Sequence, residues 1–295
     1  MALWYDEVHD DAMRFGLKVE RTLFMGTSDF QKVAVVETAA FGRALLLDDL
    51  WMTSERDEYI YHELIAHTTC AVVPKLERVL VIGGGDGGTV REVLRHPEVR
   101  RVDLVEIDGM VVEASKAWLR HIGSAWEDPR LHVTIGDGIA FVKEAALPDG
   151  LPYDVVIVDG SDPTGPAVGL FNEDFYRGCK RVMGERAVFI TQSESPIAHL
   201  DVHLDMIRTI RNVFGAAHPL YGTVPLYPTG SWSWTWAATG GVDRFAVNPE
   251  RAARIEADAR YWNRDIHRGA FAVPTHVLRA LAETIDVARA QPGKP

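Results

Sequence analysis

The run Gly83-Gly84-Gly85-Asp86-Gly87-Gly88 follows the apolar segment Val79–Ile82 and opens a helix-forming stretch. Glycines at 83, 85 and 88 have the Gly-x-Gly-x-x-Gly spacing, which lets a ligand approach the backbone where a strand turns into a helix. Glu106, 18 residues beyond Gly88, ends the next apolar run, where a carboxylate can accept hydrogen bonds from both hydroxyls of a ribose. A turn that merely permits tight packing would explain the glycines but not the spaced acid. Asp86 would repel a pyrophosphate at the helix N-terminus and would welcome a cation. These residues therefore favour a positively charged nucleoside, such as S-adenosylmethionine or its decarboxylated form, over a dinucleotide.

Further acids stand just past the apolar runs: Asp86, Glu106 with Asp108, Asp137, and Asp159 with Asp162. In an open α/β sheet such positions face one crevice beyond the carboxyl ends of the strands. So many carboxylates call for a cation. A divalent metal would gather them about a single point, whereas acids spread along a sheet edge suit an extended polycation, so no metal is expected. The plainer alternative for Asp159 and Asp162 is that they cap the turn after a strand. His62 and His67 resemble a metal-binding helix pair, but five residues turn the helix by roughly 140°, so His67 is expected to be structural. Trp232, Trp234 and Trp236 alternate on one strand face and read as core or subunit packing.

The elements that must position these residues follow from periodicity. Short β-rich runs at 19–24, 32–37 and 43–47, separated by turn formers, predict a small antiparallel sheet. Ser54-x-x-Asp57 gives a capping-box signature before a helix ending ahead of Pro74. Residues 1–73 are thus expected to form an N-terminal β domain with its linking helix, and residues 74–295 a catalytic domain. In the latter, strand runs at 79–82, 102–107, 131–135, 155–158 and 187–191 alternate with helical stretches. Strands at 220–224 and 232–238 follow without a long helix between them. This predicts a doubly wound α/β fold with a mostly parallel, seven-stranded sheet and an antiparallel edge. The tail 291–295 is expected to be disordered.

At 295 residues and 47% hydrophobic, the chain can bury a large core, but no stretch approaches the roughly 20 apolar residues of a membrane span. A cytoplasmic location is expected from the acidic N-terminus, which lacks a secretory pattern. The net charge of −11, without a Lys/Arg cluster, argues against a nucleic-acid surface. Cys70 and Cys179, far apart, suggest neither disulfide nor zinc.

Residues 83–88, Glu106-Ile107-Asp108, Gly136-Asp137-Gly138 and Asp159-Gly160-Ser161-Asp162-Pro163 together resemble the aminopropyltransferase family of polyamine synthesis. The flanking segments Ser28–Gln31, Phe41–Arg43, Glu55–Glu58, Tyr61–Glu63, Gly165–Ala167, Leu170-Phe171, Tyr227–Gly230 and Tyr261–Asn263 are similar to family segments in family order, so the resemblance spans essentially the whole chain. It implies a Rossmann-like, methyltransferase-like sheet. The implied reaction moves an aminopropyl group from decarboxylated S-adenosylmethionine to putrescine, giving spermidine and methylthioadenosine without metal or other cofactor. By this resemblance Glu106 and Gln31 would hold the ribose, Asp137 and the Gly138 backbone the adenine, and Asp86 the amine of the arm. Asp159 would be the acid/base residue, helped by Tyr61. Tyr61, Asp162, Gln192 and Tyr227 would line the amine channel, with His62 at the boundary between ligands and the 163–169 segment as a lid. A homodimer or homotetramer is also implied.

Two positions depart from the family pattern: Gly160 replaces a small polar residue, and Glu194 adds a carboxylate near the far end of the channel. Spermidine, cadaverine or agmatine are therefore alternative acceptors. A methyltransferase using intact S-adenosylmethionine, which Asp86 disfavours by repelling its carboxylate, and a non-catalytic polyamine or nucleoside sensor are the other readings.

Overall fold

The computed structural model describes residues 3–9, 13–144, 147–162 and 169–290. Strands β1 (Leu3–His9), β2 (Met13–Thr27), β3 (Lys32–Thr38), β4 (Gly42–Leu47) and β5 (Leu50–Ser54) form an antiparallel sheet in chain order. The sequence reading found the middle of this sheet and missed β1, whose charged residues interrupt the alternation, and β5, whose apolar run Leu50-Trp51-Met52 is short. Helix α1 (Glu58–Cys70) follows. Ser54 does not cap it. Instead Asp57 stands at the N-cap and its carboxylate accepts from Ser54 Oγ at 2.5 Å and Leu226 N at 2.7 Å, so the expected capping box is replaced by a tie to a loop far along the chain.

The second sheet contains β6 (Arg78–Gly83), β7 (Arg101–Glu106), β8 (Leu131–Ile135), β9 (Tyr153–Asp159), β10 (Met183–Gln192), β11 (His218–Thr223) and β12 (Ser231–Ala238). Its order is β11-β12-β10-β9-β6-β7-β8, with β11 and β12 antiparallel and the rest parallel, as expected from the sequence. Helices α2 (Gly88–Leu94), α3 (Gly109–Trp118), α4 (Gly138–Glu144), α5 (Glu173–Val182) and α6 (Leu200–Phe214) provide the connections. Helices α7 (Pro249–Glu256), α8 (Arg264–Ala270) and α9 (Thr275–Ala290), which were not foreseen, follow the last strand.

The central strands are apolar on both faces because both faces are covered. Val79, Val81, Val155, Ile157, Val188 and Ile190 join one core with α1, α2 and the C-terminal residues Ile255, Trp262 and Phe271. Leu80, Ile82, Val156, Val158 and Phe189 join another with Phe175, Cys179 and Ile210. Helix α1, grouped with the N-terminal sheet in the sequence reading, packs against α2 and β9–β11 of the second sheet. Helix α3 bridges the two sheets: Val111 and Ala114, with Ile122 just beyond its end, pack with Val33, Val35 and Leu45. This fixes the N-terminal sheet against the carboxyl end of β7. Cys70 and Cys179 are free and buried. Among the described residues no helix is long and apolar enough to cross a membrane.

One buried acid holds the C-terminal segment to α1. Glu63 accepts hydrogen bonds from the backbone N–H groups of Arg260 and Tyr261 at 2.8 Å and of Trp262 at 2.7 Å. Replacing Glu63 by Ala leaves those donors without their acceptor and should destabilise the fold by about 3 kcal/mol. Glu63→Gln, which keeps one carbonyl oxygen, should lose less than half of that in equilibrium denaturation. Equal stability of Glu63→Ala and the parent would refute this account.

Candidate active site

The glycine loop lies where β6 meets β9. Gly83 has φ +80°, and a Cβ there would stand 2.2 Å from the carbonyl oxygen of Asp159. Gly84 N donates to that same carbonyl at 2.8 Å. The loop can therefore pass close over the end of β9, and this contact fixes Asp159 beside the loop. Asp86 accepts from Gly88 N at 2.6 Å and so occupies a donor that a phosphate would need.

Asp159 is held on both carboxylate oxygens. Tyr61 Oη donates to Oδ1 at 2.7 Å and Thr89 Oγ1 to Oδ2 at 2.6 Å. Desolvation and the neighbouring Asp86 push the Asp159 carboxyl above its ordinary range, against His62 and these two hydroxyls. Desolvation and the Asp159 charge hold the Tyr61 phenol well above its usual range, so it remains a donor. His62 is 2% exposed and lies between Glu58, 2.6 Å from Nδ1, and Asp86, 3.4 Å from Nε2. Burial pulls its pKa down, but Asp86 and Glu58 outweigh that and push it up to about 10. For Asp86, desolvation is outweighed by His62 and the Gly88 N–H, and its pKa falls.

Glu106 ends β7 and is 7% exposed. Burial raises it to about 7 despite hydrogen bonds from the backbone of Asp108 and Gly85. Asp108 is turned away from the cavity. It caps α3 through Met110 N and accepts from Ser28 Oγ at 2.7 Å and Gln31 Nε2 at 3.0 Å, which orients the Gln31 loop. Of the acids read as converging, Asp108 therefore serves the scaffold. Asp137 is exposed at the rim and accepts from Ile139 N at 2.8 Å; Gly138 is buried beneath it.

Gln31, Asp86, Glu106, Asp137, Gly138, Asp159, Tyr61, His62 and Tyr227 line one cavity. Asp162 and Gln192 line a second, smaller pocket. Tyr61, Gly160, Ser161, Tyr227 and Met52 border both, so the two meet beside Asp159. Tyr227 donates to Met52 O at 2.8 Å, and its ring packs edge-on to Tyr61 with centroids 6.2 Å apart. Gln192 donates to Ser161 O at 3.2 Å and accepts from Glu194 N at 2.9 Å.

Glu194 adopts φ 66° and faces the second pocket. Burial and the Asp162 carboxyl, its hydrogen-bond partner, push Glu194 up to about 8; burial also raises Asp162. Glu7 of β1 reaches the same pocket, accepts from Trp51 N at 2.9 Å and pairs with His9. Sequence reasoning missed Glu7, Thr89, Glu58 and Arg91, and no local signal singled them out. Trp234 and Trp236 lie in the core as read, whereas Trp232 also stacks edge-on with Tyr227 at 4.5 Å and lines the second pocket. His67 is buried with His96 and Glu92, as a structural histidine. Among the described residues no group of three or more His, Cys, Asp or Glu could hold a metal ion. Most of the lid segment, residues 163–168, and the tail 291–295 lie outside the described residues.

Comparison with known proteins gives a consistent result. Residues 58–245 match the spermine/spermidine synthase domain and residues 3–55 the spermidine synthase tetramerisation domain. The chain is 49% identical over 280 residues to a polyamine aminopropyltransferase of Prochlorococcus marinus strain MIT 9313, covering 94% of this chain and 96% of that one. It is 40% identical over 282 residues to the enzyme of the same name from strain NATL2A, covering 95% and 96%. A crystal structure of spermidine synthase in complex with the transition-state analogue AdoDATO is similar with TM-score 0.90 and 34% identity over 95% of both chains. Spermidine synthase from Thermotoga maritima is similar with TM-score 0.88 and 34% identity, covering 95% of this chain and 94% of that one.

The raised carboxyl of Glu106 has a consequence for stability. Its protonated form is favoured by folding, so its contribution is complete below about pH 4.5 and is lost as pH rises through about 7. Glu106→Gln removes that ionisation and should stabilise the ligand-free protein at pH 8 by about 3 kcal/mol, with the gain vanishing near pH 4.5. Thermal denaturation across this range tests it; a gain independent of pH would contradict the account.

Proposed function

The chain belongs to the spermine/spermidine synthase family, and from that premise we propose how its residues carry out aminopropyl transfer from decarboxylated S-adenosylmethionine to putrescine. The observation that carries the reading is the junction of the two cavities beside Asp159, with acidic groups on both sides. The larger cavity takes the donor: Glu106 and Gln31 bind the ribose, Asp137 and the Gly138 backbone the adenine, and Asp86 the amine of the arm. The smaller pocket takes the acceptor past Tyr61 and Tyr227, with Asp162 and Gln192 toward its far amine. His62 stands at the boundary.

The acceptor's near nitrogen must lose a proton before its lone pair can attack the methylene beside the sulfonium. Asp159 accepts that proton, and its raised pKa makes it a stronger base than an ordinary aspartate. The Tyr61 phenol and Thr89 hydroxyl orient it. As the new C–N bond forms, the C–S bond breaks and its electron pair neutralises the sulfonium, leaving methylthioadenosine and spermidine. The leaving group carries its own activation, so the reading calls for neither metal nor redox cofactor.

Assembly through the N-terminal sheet, as a homotetramer or homodimer, is supported by the tetramerisation-domain match at 3–55 and by exposed Leu3, Trp4 and Met25. A cytoplasmic location suits soluble substrates.

Asp159→Asn should lower kcat for methylthioadenosine release by about 10²–10⁴ while leaving donor binding within a few-fold. Putrescine should be the fastest acceptor in a panel with cadaverine, agmatine and spermidine. Absence of release with every amine, despite donor binding by the wild type, would overturn the reading.

A further inference from the structure

Behind the donor cavity, charges alternate along an ordered line. Arg91 on α2 grips Glu58 in a two-point contact, Nη1 to Oε1 at 3.0 Å and Nη2 to Oε2 at 2.8 Å. The Arg91 guanidinium is itself fixed by Glu92 at 2.8 Å and by the carbonyl oxygen of Ile122 at 3.0 Å. Glu58 meets His62 Nδ1 at 2.6 Å, and His62 Nε2 faces Asp86 at 3.4 Å. The imidazole is also pinned sterically, since a Cβ on Gly88 would come within 2.2 Å of it. A neutral imidazole could donate to only one of the two carboxylates that flank it, whereas an imidazolium donates to both.

We propose that Glu58, locked by Arg91, is a positioning residue that keeps His62 in the imidazolium form, and that this buried cation keeps Asp86 and Asp159 both ionised for the transfer reaction. The inference rests on the roles given above to Asp86 and Asp159. The groups facing His62 are Glu58 and Tyr61 from its own helix, Asp86 from the glycine loop, Arg91 from α2 and Asp159 from the end of β9, with Tyr227 beyond Tyr61. Asp86 raises the proton affinity of Asp159, whereas His62 lowers that of both acids. Without the imidazolium both acids would hold a proton more readily, and Asp159 would be less available as the base.

The test begins with the wild type. In histidine-labelled protein, with the His62 resonances assigned by their loss in His62→Gln, both ring nitrogens of His62 should remain protonated at pH 8. A neutral ring there would overturn the proposal without any variant of Glu58. In Glu58→Gln the His62 titration should move from about 10 to about 6 or below, leaving the ring mostly neutral at pH 7. Its kcat relative to wild type should be about tenfold low at pH 7 and should converge on wild type by pH 9, with the donor KM changed less than about threefold. A merely structural role would depress activity by the same factor at every pH, and that result would also overturn it. Loss of nucleoside release in the wild type would count against the proposed reaction instead, since the imidazole measurement stands apart from turnover.

Discussion

Negative charge converging at the carboxyl edge of the second sheet is the constraint to which the rest of the site answers. Asp86, Glu106 and Asp159 stand at the ends of three adjacent strands, and the register that pairs Gly83 with Asp159 brings two of them together. Like charges in a partly desolvated cleft raise one another's pKa, as seen at Asp159. The fold bears this repulsion with backbone donors at Gly88 and Asp108, hydroxyl donors at Tyr61 and Thr89, and one histidine cation. What remains uncompensated is an affinity for cations entering from outside, which suits a sulfonium donor and a diamine acceptor.

Legibility in the sequence followed how local the cause was. The glycine loop and Glu106 could be read because a strand, a tight turn and a helix must occur in that order for the backbone to come close to a ligand. Asp159 and Asp162 could be placed for the same reason. Asp108, only two residues past Glu106, could not be told from a ligand-facing acid, because whether such a residue caps the next helix depends on the helix start. Glu7 was out of reach for another reason. It gains its place through β1 pairing at the edge of the N-terminal sheet and through Trp51 N, contacts set by tertiary packing alone.

On the proposed reading the two cavities also impose an order on the reactants. The larger cavity is lined by the N-terminal sheet at Gln31, Leu45 and Met52 and by the sheet edge of the larger domain, so a nucleoside bound there would be enclosed between the two. The smaller pocket is bordered by Glu7 and His9 on one side and His199 on the other. On that reading a diamine entering there would meet Asp162 and Glu194, whose carboxyls are raised by burial and hydrogen-bonded to one another. Binding of a far ammonium would favour their ionised forms and set two carboxylates against one or more positive charges. The near nitrogen would then be carried to Asp159 by the length of the chain between the two ends.

The same reading explains why Asp159 is anchored rather than free. Attack requires nitrogen, methylene carbon and sulfur in line, and the sulfur would be fixed by a nucleoside whose ribose and base are held at the opposite end of the cavity. A mobile carboxylate could accept the proton but would not hold the nitrogen on that line. With Oδ1 bound by Tyr61 and Oδ2 by Thr89, and with its backbone carbonyl bound by Gly84, Asp159 presents one orientation toward the junction. On the proposed reading, the same loop that brings Gly83 against β9 would therefore set both the donor's position and the direction in which the proton leaves, and align the two halves of the reaction through one backbone contact.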